Sequence, residues 1–281
     1  MIESIQHIIA VVGCQRSGTT LTGQILGAHP KAVLIDEPDG LYPWFHAMAE
    51  GRSDAHRLAA TMFHRAGAKY RDPRSRFNDR EDGRVLSAAI SVLVLKAPNL
   101  SYDFEKLAAL PVPLNIVYPV RDPRAVVASM ARLRHIDFVG NQLRHIEERP
   151  SVAAELEAER QALADDRKPP WVRYATVWKV KSGLAPRFRQ FGLPVHQFRY
   201  EDLVQDPDSV VRDLSHCCGL DDSTLLTGFN GVYVGYGPGG TDRTREIDQA
   251  VLRNWNACLD AEREADVLSV AGPLARSFGY V

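Results

Sequence analysis

Residues Ile8 to Val12 form a short apolar run, and the next eight, Gly13-Cys14-Gln15-Arg16-Ser17-Gly18-Thr19-Thr20, open on one glycine and carry a second five positions later. An apolar run of this length ending in glycine suits a strand buried on both faces of a parallel sheet. The stretch from Thr20 to Leu26 has apolar residues at helical spacing. Strand, glycine-bearing loop and helix in direct succession give the spacing of a phosphate-binding loop, where backbone N–H groups and a helix N-terminus hold an anion. This opening commits the chain to an α/β arrangement.

The rest of the sequence continues the pattern. Ala32–Ile35, Val92–Leu95, Leu114–Val120 and Val195–Phe198 read as further strands. Helical patterns lie between them, including Ser101–Ala109, Pro123–Arg134 and Trp171–Phe191. Alternation of this kind predicts a P-loop-like central parallel sheet flanked by helices. At 281 residues the chain suits one large α/β domain or two small ones, and a single domain spanning 1–281 is the expectation. In such sheets ligands bind beyond the carboxyl ends of the strands. One segment departs from the pattern. Phe138 to Pro170 is highly charged, and its middle, between Pro150 and the Pro169-Pro170 pair, reads as a solvated helix. It is expected to be an exposed insertion, with a flap over a substrate site as the alternative.

Composition narrows the function. A formal net charge of -1 argues against a dedicated nucleic-acid binder. The four cysteines lack zinc-ligand spacing, and adjacent Cys217 and Cys218 are expected to be buried free thiols. The N-terminal residues do not read as a signal peptide, and no apolar run approaches the roughly 18 residues of a membrane span. A cytoplasmic protein is the expectation.

The loop chemistry is specific. A nucleotide triphosphatase needs lysine after the second loop glycine, then Ser or Thr for magnesium. Here Thr19 takes the lysine position and the cation sits inside the loop as Arg16. The site is therefore expected to hold a phosphate or sulfate without a metal. An atypical small-molecule kinase stays as an alternative reading, disfavoured by the missing lysine.

With these features the sequence resembles the sulfotransferases that use 3′-phosphoadenylyl sulfate (PAPS). CQRSGTTLTGQILGAHP is similar to their 5′-phosphosulfate loop and VYPVRDPRAVVASM to their 3′-phosphate motif, while FRYEDLVQDP and the closing W…PLARSFGY pattern resemble later landmarks. The resemblance implies transfer of a sulfuryl group from PAPS to an acceptor hydroxyl, with PAP as product. It places Gln15, Arg16, Ser17, Gly18, Thr19 and Thr20 around the 5′-phosphosulfate and Arg121 with Ser129 on the 3′-phosphate. Tyr200 matches a position that contacts the nucleotide in some relatives. Thr241, Arg243 and Arg245 fall in a late loop that closes over it. The acceptor stays open among small-molecule, carbohydrate and lipid hydroxyls, and a non-catalytic PAP-binding relative is a further alternative.

The resemblance also bears on the catalytic base. Cytosolic relatives place a histidine two residues after a strand-end lysine, but Lys96-Ala97-Pro98 has proline there. The tyrosylprotein branch, closest in motif layout, uses a glutamate after the second strand, and Ile35-Asp36-Glu37-Pro38 supplies one. Glu37 is thus the implied base, with Asp36 as its rival, and Arg16 and Lys96 would stabilise charge on the transferred group. An Asp36→Asn change is expected to be mild. His29, at the end of the first helix, is expected to cap or pack rather than act as base.

Overall fold

Five parallel strands, β1 (His7–Val11), β2 (Ala32–Asp36), β3 (Val92–Lys96), β4 (Leu114–Val120) and β5 (Val195–Arg199), form one sheet in the order β2-β3-β1-β4-β5. The computed structural model describes residues 5–37, 41–55, 57, 90–220, 225–232, 236–237, 241–242 and 244–281. Every residue of β2 and β3 is buried, as their continuous Val/Ile/Leu runs require of strands covered on both faces. β5 lies at the edge and is half-buried along its whole length.

The register aligns the strand ends. Lys96 is paired with Val11 on one side and with Asp36 on the other, and Val120 is paired with Arg199. The residues that follow each strand therefore meet along one edge of the sheet. Helix α1 (Thr19–Gly27) returns from the first loop and lies close on β2, where a Cβ at Gly27 would stand 2.7 Å from the Leu34 Cβ. α2 (Leu41–Ala49) follows β2.

Local chemistry moves several helix boundaries. The expected Ser101–Ala109 helix is a 3₁₀ turn over Pro98–Tyr102 followed by α3 (Phe104–Ala108). After β4, α4 (Pro123–Ala131) starts as the sequence suggests, with Pro123 in the first turn and the Asp122 carboxylate accepting from the Arg124 N–H at 2.8 Å. The expected Trp171–Phe191 helix divides into α8 (Pro170–Gly183) and α9 (Ala185–Gln190), because Pro186 is tolerated in a first turn but not mid-helix.

Between them, residues 138–164 form α5 (Phe138–Glu147), α6 (Pro150–Glu155) and α7 (Glu157–Ala164). Only the middle is solvated. Phe138, Val139, Gln142 and Ile146 of α5 are buried, and Arg149 makes a two-pronged ion pair with buried Asp103 at 3.0 and 2.7 Å. This segment is packed into the main body rather than held out as an arm.

The chain continues through α10 (Tyr200–Gln205), α11 (Pro207–Cys218), α12 (Leu225–Gly228), the short strands β6 (Tyr236–Gly237) and β7 (Thr241–Asp242), and α13 (Ala261–Ser277). Cys218 is buried on α11, but Cys217 is exposed, because neighbours on a helix point about 100° apart. The late sequence landmarks act as clamps. Arg124 bonds Asp122, Glu264 (2.9 Å) and the Tyr280 carbonyl (3.1 Å), with the Trp255 ring 4.5 Å from its guanidinium carbon. Glu201 accepts from the Asp122 N–H at 3.0 Å and lies 2.8 Å from the Tyr280 hydroxyl. The C-terminal helix is thereby locked over the end of β4.

Candidate active site at the carboxyl ends of the strands

The loop after β1 is built around left-handed backbone. Gly18 has φ 90° and Arg16 has φ 70°, and only the first is comfortable there. Gly18 precedes α1, whose first turn receives no side-chain cap. Among the described residues its N–H groups are thus left without a cap from Gly18, and such donors suit an anion. A Cβ at Gly18 would stand 2.2 Å from the Tyr200 ring, so the residue must be small as well as left-handed. Gly18→Ala is expected to lower stability by about 1–3 kcal/mol. A melting temperature unchanged by it would show that Tyr200 does not press on the loop.

The cationic groups converge on this loop. Arg16 Nε donates to Ser129 Oγ at 3.0 Å, and Arg121 Nη1 donates to the Arg16 carbonyl at 3.1 Å. Arg121 also lies 4.6 Å from the Tyr200 ring centre and donates to the Val251 carbonyl at 3.3 Å. Its backbone carbonyl accepts from the buried Trp178 indole at 2.8 Å, which fixes the turn after β4. Burial holds Arg16 below the ordinary arginine range, and the like charges of Arg121 and Arg132 add to the effect while Tyr200 opposes it. Among the described residues the buried Arg121 Nε has no hydrogen-bond partner. Crowded positive charge beside an uncapped helix start is a cradle for an anion.

On the other side of the loop, Lys96 is paired with two carboxylates: Asp36 at 3.0 Å and Glu37 at 2.7 Å. Burial works against its charge, but Asp36 and then Glu37 outweigh it and raise Lys96 to about 12. The two acids differ in access. The Asp36 side chain is 4 % exposed, whereas that of Glu37 is 32 % exposed. Glu37 also has φ 38°, a left-handed conformation that costs a non-glycine residue about 1–3 kcal/mol and is found where function requires it.

The structure brings together Arg16, Gly18, Arg121, Ser129 and Tyr200, and separately Asp36, Glu37 and Lys96. Ser17 and Thr19 are buried within the loop and first turn, and Thr20 is half-buried. Gln15 is turned elsewhere: its side-chain amide donates to Asn99 at 2.7 Å and accepts from Lys181 at 3.1 Å. Its backbone is what remains for a ligand. Thr241 belongs to β7, Arg245 is exposed, and Arg243 lies outside the described residues. His29 is buried, and its Nδ1 accepts from the Lys31 N–H at 3.2 Å. Reading by motif passed over Lys181, yet its place three residues after Trp178 and four after Val177 puts it on the apolar face of α8. Among the described residues no group of three or more His, Cys, Asp or Glu could hold a metal, and no helix is long and apolar enough to cross a membrane.

The parallel α/β sheet carries a glycine-bearing loop after its central strand, with arginine, lysine and acid at neighbouring strand ends. The sulfotransferase family model matches residues 9–224, and the chain belongs to that family. Two solved structures share the fold. The sulfotransferase domain from the curacin biosynthetic pathway superposes with a TM-score of 0.57 at 18% identity, covering 97% of this chain and 99% of that one. The sulfotransferase domain from the Synechococcus PCC 7002 olefin synthase gives 0.53 at 18% identity, covering 97% and 96%. A search of curated protein sequences finds no match.

Proposed function

We propose that this sulfotransferase moves a sulfuryl group from PAPS to an acceptor hydroxyl, with Glu37 as general base. The observation that carries the donor assignment is the meeting of Arg16, Arg121 and Ser129 at the start of α1. A nucleotide with a 5′-phosphosulfate and a 3′-phosphate offers two anions to this arrangement. The loop backbone and Arg16 face the first, and Arg121 with Ser129 the second. Arg121 Nε, buried without a partner among the described residues, fits such a ligand, and an anion would relieve the repulsion that Arg16 experiences.

In the transfer, the acceptor oxygen attacks sulfur as the bond from sulfur to the bridging phosphate oxygen breaks. The hydroxyl proton passes to the Glu37 carboxylate, and PAP leaves. Glu37 suits the role because it is accessible, while Asp36 is buried under Lys96. Arg16 and Lys96 stabilise negative charge growing on the sulfuryl oxygens and the leaving phosphate. Acceptors are proposed to be small-molecule, carbohydrate or lipid hydroxyls.

The test is transfer of label from ³⁵S-PAPS to a panel of hydroxyl acceptors in the presence of EDTA. Labelled product undiminished by chelation is expected. Activity that EDTA abolishes and magnesium restores would contradict the metal-free reading, and transfer from ATP instead of PAPS would overturn the donor assignment.

A further inference from the structure

Lys181 is a fully buried cation that the proposed chemistry does not use. From α8 its ammonium reaches the Pro98 carbonyl at 2.7 Å, Asn99 Oδ1 at 2.8 Å and Gln15 Oε1 at 3.1 Å. An ammonium has three N–H donors and no acceptor, so these three oxygens match its protonated form. Asn99 Oδ1 also accepts from Gln15 Nε2 at 2.7 Å and Gln142 Nε2 at 3.4 Å, and Gln142 Oε1 accepts from the Tyr102 hydroxyl at 2.9 Å. These bonds join the anion loop, the turn that follows Lys96, α5 and α8. None of the hydrogen-bond partners of Lys181 among the described residues is a carboxylate. A buried charge without a hydrogen-bonded counterion is costly, and an apolar side chain would fill the same space without that cost.

We propose that Lys181 is a positioning residue for sulfuryl transfer, its three hydrogen bonds fixing Gln15 and hence the anion loop against the turn that follows Lys96. The proposal rests on the PAPS reading above. The surroundings make the arrangement sensitive to pH. Burial pushes the Lys181 amine down to about 7; Glu37 opposes that shift and Lys96 assists it. The other groups facing it are the Tyr102 ring at 5.6 Å, the Tyr118 hydroxyl on its backbone carbonyl, and His145, which burial, Lys181 and Arg149 push down to about 4. Cys14 is raised by burial to about 12, so it stays a neutral thiol as Lys181 titrates. Once neutral, the amine has two N–H groups and a lone pair facing an oxygen, and its hold on the loop loosens.

The experiment is PAP affinity by calorimetry across the neutral range for wild type, Lys181→Met and Asn99→Asp, each checked by thermal melting. Wild type is expected to lose roughly tenfold in affinity as pH rises through the Lys181 transition. Lys181→Met should bind more weakly at low pH and lack that transition. Asn99→Asp keeps the accepting oxygen but sets a carboxylate beside Lys181, so its transition should move to higher pH. Ligand phosphate titration is common to all three proteins and cancels in the comparison. If Lys181→Met does not fold, Asn99→Asp decides the matter alone. A transition at the same pH in wild type and both variants, or none in wild type, would overturn the positioning role. Absence of PAP binding at every pH would overturn the functional reading and the positioning role with it.

Discussion

Replacing Glu37 by glutamine is expected to lower turnover by roughly 10²–10⁴-fold while leaving PAP affinity nearly unchanged. Glutamine keeps the shape and a hydrogen bond from Lys96, but its amide cannot take the acceptor proton. The bond to Lys96 at 2.7 Å also predicts a secondary effect, because Lys96 loses one of its two counterions and retains Asp36. Steady-state rates with ³⁵S-PAPS, paired with PAP calorimetry, separate the two. Near-normal turnover in Glu37→Gln would refute the base assignment. The sequence alone presents Asp36→Asn as a mild control. The structure corrects this: Asp36 is buried and 3.0 Å from the Lys96 ammonium. Removing a buried partner of an ion pair is destabilising, here by less than the roughly 3–5 kcal/mol of a charge left wholly uncompensated, because Glu37 still faces Lys96. Asp36→Asn is therefore expected to lower the melting temperature, and it cannot serve as a silent comparator.

The second large effect is expected at Arg121. Arg121→Met removes the guanidinium proposed to meet the 3′-phosphate but keeps an unbranched stem against the Tyr200 ring. Loss of a charge-assisted hydrogen bond costs about 1.5–3 kcal/mol, so PAP affinity should fall by roughly 10- to 150-fold. AMP, which has no 3′-phosphate, should lose far less. The two ligands should then bind Arg121→Met with similar strength. Equal losses for both would mean that Arg121 acts by supporting the Arg16 carbonyl, which it bonds at 3.1 Å, and not by contacting the 3′-phosphate.

What was legible in the sequence was whatever depends on short-range pattern. Ile8–Val12 followed by the glycine loop announces the central strand, and Pro123 with Asp122 announces the start of α4, since strand burial and helix capping are local requirements. Pairings made across the sheet were not legible. That Asp36 shares Lys96 with Glu37 follows from the β2–β3 register, which aligns Asp36 with Lys96 and which no spacing in the chain encodes. Gln15 illustrates the same limit. Its place in the loop motif suggests a ligand contact, but its side chain is claimed by Asn99 and Lys181, residues 84 and 166 positions away. Residues 138–164 look like a charged appendage because their outer residues are polar, while the few that pack, such as Phe138, Gln142 and Leu163, are too sparse to stand out.

Calorimetric titration of the wild-type protein with PAP and with AMP, both in EDTA, tests whether the convergent arginines recognise a nucleotide carrying a 3′-phosphate. PAP is expected to bind at least about tenfold more tightly than AMP. Equal affinities for the two nucleotides would contradict it.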